Sequence, residues 1–294
     1  MAEKPLPSLQ RITPAAPASA TPGASLRAAV RRSLPVAGVI VTLLIAWEAS
    51  KLAFGISDQR LPHLGAIIEV MFTRTQGGTG NILLAQMLLN AWSTFQVALG
   101  GFLLGGMLGF GLAVLFMQLP MLERGLMPYV IGSQTVPILA IAPMVVVGLG
   151  RMGAPSWAAK ITVAAYLTFF PVTIGMLRGL RAASPMSLDL MRSYAASPAQ
   201  IFWRLRLPNS LPYLFTSLKV AASASVIGAI VAELPAGARE GVGMMILNAA
   251  QSYNSRPPAL YVAILAASLV GVTFYGMVAL AERLIVGSQR TNGG

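Results

Sequence analysis

From Leu89 to Met117 the sequence carries no ionisable side chain. That stretch exceeds the roughly 20 apolar residues a helix needs to cross a bilayer. Hydrocarbon offers no partner to backbone N–H and C=O groups, so a spanning segment must be a helix or part of a closed barrel. Five more apolar runs accompany this one, at about Leu34–Phe54, Met127–Leu149, Ser156–Leu177, Leu211–Leu234 and Leu260–Ile285. Only 10% of the residues are charged and 55% are hydrophobic, whereas soluble domains carry about 25% charged residues. The expected fold class is an all-α integral membrane protein with six transmembrane helices.

The runs divide the chain. Residues 1–30, rich in Pro, Ala and Ser, read as a disordered tail, 31–287 as the transmembrane domain and 288–294 as a second short tail. Arg27, Arg31 and Arg32 precede the first run, which is too long and too deep in the chain for a signal peptide and reads as a retained anchor. The net charge of +12 comes without a basic–aromatic patch, so it points to membrane topology rather than nucleic acid. With the N-terminus inside, thirteen Lys and Arg flank the spans on the inner side and seven on the outer, leaving Lys219 within the fifth span. Both termini are expected in the cytoplasm, with membrane lipid as the immediate surroundings.

Within the second run Gly101, Gly105 and Gly109 recur every four residues. Small residues at that period let two helix backbones approach closely, so this face is expected to pack on another helix. The third run contains Pro128, Pro137 and Pro143. Two readings stand for it: a kinked packing helix, or a pathway lining in which Ser133, Gln134, Thr135 and Pro137 face a water-filled cavity. Among the ionisable groups inside the runs are Glu48, Lys219 and Glu233. Glu233 joins the pathway candidates, while Lys219 is long enough to reach the inner interface. The single histidine, His63, and the absence of cysteine support no metal site, disulfide or thiol chemistry.

Between the fourth and fifth runs lies a polar, basic interlude, Arg181–Pro212. Ser184-Pro185 and Ser197-Pro198-Ala199-Gln200 are both helix starts, an N-cap serine followed by proline, and Gln200 is placed to close a capping box. The spacing predicts two short amphipathic helices. The first puts Met186, Leu190 and Tyr194 on one face, and the second groups Ile201, Phe202 and Leu205. Both are too short to span and offer apolar side chains to something outside the bilayer.

This interlude resembles the EAA signature of bacterial ABC importer permeases: E-A-A, three residues, G, nine residues, I, one residue, L-P. Asp189, Leu190 and Met191 stand at E-A-A, Ala195 at the glycine, and Leu205, Leu207 and Pro208 at the I-x-L-P end. The phrasing is similar to the nitrate/sulfonate/taurine-type permeases over roughly residues 85–287. The resemblance implies a coupling helix, with Asp189, Leu190, Met191, Tyr194, Ala195, Ser197, Phe202, Leu205, Leu207 and Pro208 contacting a separate dimeric ATP-binding subunit. It also implies a substrate-binding protein on the outer face, a second permease copy (identical or paralogous) and a bacterial inner-membrane location. An alanine at the glycine position must stay helical or accept strain of about 1 kcal/mol.

No phosphate loop of the G-x-x-x-x-G-K-[ST] type occurs, so nucleotide hydrolysis falls to a partner, and no cofactor is expected. No nucleophile–base motif or H-E-x-x-H appears in the spans, which argues against an intramembrane enzyme. An ion-coupled secondary transporter or channel is the alternative transport reading. The resembled group imports small oxyanions and sulfonates, and relatives import pyrimidine-like precursors. The resemblance implies that substrate choice rests largely on the binding protein.

Overall fold

The computed structural model describes residues 22–75, 80–235 and 240–291, with side chains placed between residues 34 and 287. Its contacts separate two compact units, 1–57 and 58–294. The first unit contains one helix, α1 (Pro22–Phe54), which passes through Pro35 and ends at Gly55, whose φ of 57° lets the Ile56 amide donate back to Lys51 at 3.1 Å. A disordered tail reaching residue 30 is therefore corrected, since the chain is helical from Pro22. The remainder of that tail lies outside the described residues, as does 292–294.

The second unit holds α2 (Leu64–Met71), α3 (Leu83–Gln118), α4 (Pro120–Ser133), α5 (Ile138–Arg151), α6 (Ser156–Arg181), α7 (Pro185–Ser193), α8 (Pro198–Ile201), α9 (Leu207–Glu233), α10 (Val242–Gln251) and α11 (Pro257–Thr291). Five helical stretches, α1 included, are long and apolar enough to cross a membrane, and the bent pair α4–α5 makes up to six. The helices α3, α6 and α9 form the centre. Their contact surfaces are built from small residues, as expected where lipid supplies no hydrophobic drive for helix association. Ala98, Ala164, Ala221, Ala222 and Ala229 are fully buried. A Cβ added at Gly101 would lie 2.3 Å from the Ala164 Cβ, and at Gly105 or Gly109 it would lie 2.5 Å from the carbonyl oxygen of Ala165 or Phe169. The predicted glycine face thus packs on α6. Around this centre α11 closes on α9 and α3, and Phe274 meets Phe95 and Phe102 edge-on at centroid distances of 5.4 and 5.1 Å.

Two span assignments change. The third span is not one kinked helix: α4 and α5, 14 residues each, meet at 98° across residues 134–137. Pro128 and Pro143 lie inside the two helices, so the break falls at Pro137, which cannot donate a backbone hydrogen bond and holds an extended ψ of 116°. The fifth span starts far earlier than Leu211, because Pro198–Glu233 runs as one helical path. Between the long helices, α2 and α10 are short helices whose apolar faces settle on α3 and α11.

Candidate functional site

The interlude between α6 and α9 follows its capping chemistry. The Ser184 side chain accepts from the Ser187 amide at 3.1 Å and starts α7. Ser197 accepts from the Gln200 amide at 3.3 Å, and Gln200 Oε1 accepts from the Ser197 amide at 2.8 Å, which completes the capping box. Helix α7 ends in a two-bond turn: the Ala195 amide donates to Arg192 at 2.9 Å and the Ala196 amide to Met191 at 3.0 Å. These are the bonds of a Schellman motif, which places its C′ residue in the left-handed region. That residue is Ala195, with φ 52°, and it is the only non-glycine residue at positive φ among those described. The strained alternative for this alanine is the one realised.

The second helix does not stop. The turn Phe202–Arg206 is a π-helix in which the Leu207 amide reaches back to Phe202, and α9 continues from it. The reason is local. Pro208 has no N–H, and in an α-helix its ring would collide with the carbonyl four residues earlier. Widening the preceding turn moves that carbonyl aside, and Pro208 then sits at the first turn of α9, where proline is tolerated.

This continuity divides the predicted coupling residues. On α7, Met186, Leu190 and Tyr194 are 84%, 56% and 77% exposed, an apolar row in open solvent. Asp189 is exposed and pairs with Arg192 at 3.4 Å. Met191 is half-buried, and Ala195 and Ser197 are exposed. By contrast Phe202 and Leu207, both half-buried, pack with Ala113, Phe116, Met176 and Leu180. Leu205 is half-buried and Pro208 exposed. Sequence reasoning missed Trp203, 66% exposed and edge-on to Phe202 at 5.4 Å. It also missed the bidentate pair between Arg181, at the end of α6, and Glu123, in the first turn of α4.

The pathway candidates separate as well. Ser133, Gln134, Thr135 and Pro137 lie together at the 98° break, the last three exposed. Ser133 Oγ donates to Val130 O at 2.8 Å, Thr135 Oγ1 donates to Gly132 O at 2.7 Å, and Tyr166 donates to the Ser133 carbonyl. Glu233 is elsewhere and fully buried. Thr94 donates to its carboxylate at 2.8 Å and the Gly243 amide at 2.8 Å, while Thr94 itself accepts from the Val242 amide at 2.8 Å. Beside it the Gly241 amide donates to Asn90 at 2.7 Å. The carboxylate therefore fastens the start of α10 to α3 and α9. Lys219, expected to snorkel, pairs with Glu282 of α11 at 2.8 Å.

Long apolar helices, a capped loop between two of them and a broken span set the frame for comparison. The family described as "Binding-protein-dependent transport system inner membrane component" matches residues 101–286. The chain belongs to this family. It is 30% identical to the formylaminopyrimidine transport permease protein ThiX of Halalkalibacterium halodurans, over 66% of this chain and 75% of that one. It is 28% identical to the taurine transport system permease protein TauC of Escherichia coli, over 74% and 77%. A crystal structure described as an amino acid ABC transporter with histidines shares the fold, with a TM-score of 0.53 at 18% identity over 68% of this chain and 94% of that one. The protein is thus an ABC transporter permease, a multi-pass, non-enzymatic transport subunit of a bacterial importer family, as the signature implied. The substrates named for its relatives differ.

Proposed function

We propose that the chain is the permease subunit of an ATP-driven importer, coupled to a dimeric ATPase through the exposed face of α7. One observation carries this: Met186, Leu190 and Tyr194 form an unpartnered apolar row on a helix fixed at both ends, by the Ser184 cap and by the turn at Ala195. A fixed amphipathic helix moves as a rigid body, which suits it to carry a push between subunits. The unbroken path from α8 through α9 supports transmission toward the centre of the fold. Two permease copies enclose the pathway, and the 134–137 break of each lines it. A binding protein docks on the face opposite α7. The charge bias of the flanking segments supports α7 and both termini in the cytoplasm. The substrate is a small oxyanion or sulfonate, or a pyrimidine-like precursor; among the relatives, TauC is named for taurine and ThiX for formylaminopyrimidine.

The test is co-purification with the ATP-binding subunit that partners this chain. Met186→Asp combined with Leu190→Asp abolishes assembly or uncouples hydrolysis from transport, while the membrane domain retains its thermal stability. Wild-type assembly and transport in this variant would remove the coupling role from α7.

A further inference from the structure

A second feature of the loop end is a cleft of about 810 Å³ beside the α7 row but not lined by it. Val114 and Met117 from the last turns of α3 form one wall, and Ile201 and Trp203 form another. Arg192 and Arg206 stand at its polar side. Arg206 is half-buried, and its hydrogen-bond acceptor is the Met117 sulfur at 3.1 Å, a weak partner for a guanidinium with five donors. No carboxylate lies within ion-pair distance of Arg206 among the described residues, and the charges of Arg192 and Arg181 act on it from nearby. Among the described residues the ion-pair partner of Arg192 is Asp189, at 3.4 Å and with both side chains largely exposed, a weak tie that leaves Arg192 able to turn toward the cleft.

We infer that this cleft binds the headgroup of an anionic phospholipid. Arg206 and Arg192 hold the phosphate, and the first acyl methylenes lie on Val114, Met117 and Ile201. Two observations and one general rule favour a lipid over an acidic protein surface. The apolar wall is built from the ends of two helices long and apolar enough to cross a membrane, Leu83–Gln118 and Pro198–Glu233. Trp203, two-thirds exposed at its rim, is the residue type that concentrates at membrane–water interfaces. Basic pockets between transmembrane helices are the usual seats of acidic headgroups. The inner-leaflet assignment rests on the topology proposed above; the chemistry of the cleft does not.

The test uses the full chain in nanodiscs holding phosphatidylglycerol and phosphatidylcholine with identical acyl chains, with native mass spectrometry to count retained lipid. Phosphatidylglycerol is expected to be retained preferentially. Each of Arg192→Ala and Arg206→Ala weakens retention about fivefold, whereas Arg206→Lys keeps most of it and controls for misfolding. Equal retention of the two lipids, or unchanged retention in the Arg192→Ala/Arg206→Ala double variant, overturns the inference. Displacement by millimolar inorganic phosphate would show a free-anion site and also overturn it. If the double variant loses the ATPase while keeping phosphatidylglycerol, the cleft is a protein contact. Loss of lipid preference with assembly intact leaves the coupling role of α7 standing, so the two proposals fail separately.

Discussion

The amide of Ala196 donates to the carbonyl of Met191 at 3.0 Å and closes the chain over Ala195, which is held at φ 52°. Two well-formed bonds and two capped helices therefore impose a conformation that costs an L-residue about 1–2 kcal/mol. Glycine removes the steric cost but adds chain entropy to the unfolded state, worth about 0.4–1 kcal/mol in the other direction. Ala195→Gly is accordingly expected to raise stability by up to about 1 kcal/mol, and Ala195→Val to lower it by more than that. Thermal unfolding of the purified chain in detergent measures both. A clear loss on glycine substitution would mean that the turn is not strained.

The α3 glycines give a prediction whose sign changes along one helix. Gly101→Ala and Gly105→Ala press a methyl into the backbone of α6 and should destabilise by about 1–3 kcal/mol. At Gly106 and Gly111 an added Cβ meets nothing within 4 Å. There alanine should be neutral or stabilise by up to about 1 kcal/mol through helix propensity. The same melting assay decides, and an equal loss at all four positions would refute the packing arrangement.

What could be read in the sequence was what is decided locally. Both serine caps, the apolar row on α7 and the glycine period depend on residues within a turn or two of each other, and each appears as the spacing predicts. Three features depend on distant partners or on helix phase. The π turn at 202–206 shifts the helix phase between α8 and α9, and at its start Phe202 packs on the inner cluster while Trp203 is exposed. The 98° break required knowing which of three prolines lacked helical support. The helix α10 is only 10 residues long, and its start is held by Glu233, Thr94 and Asn90 from elsewhere in the chain.

The Arg181–Glu123 pair joins the end of α6, four residues before the start of α7, to the first turn of α4. The Glu123 side chain is 15% exposed and that of Arg181 47%, so losing Arg181 strands a largely covered carboxylate, while losing Glu123 frees a cation that can rotate into solvent. Arg181→Ala should therefore cost more than Glu123→Gln. A double-mutant cycle should return a coupling of about 1 kcal/mol, modest because Arg181 is half in water. A coupling near zero would mean that α4 is held to α6 by other contacts.

Thr94 is the pivot of the buried network, donating to Glu233 and accepting from Val242 with one hydroxyl. Thr94→Val keeps the shape but strips a donor from a fully buried carboxylate and orphans the Val242 amide. Leaving buried polar groups unpaired costs about 1–3 kcal/mol each. The loss should appear first as release of α10 rather than global unfolding, because the Val242 and Gly243 amides tie that helix to α3 and α9. Hydrogen exchange followed by mass spectrometry should show protection falling across 240–251, with α6 unchanged. Thr94→Ser retains the hydroxyl and should retain protection. If Thr94→Val leaves exchange in α10 untouched, the Glu233 network is not what secures it.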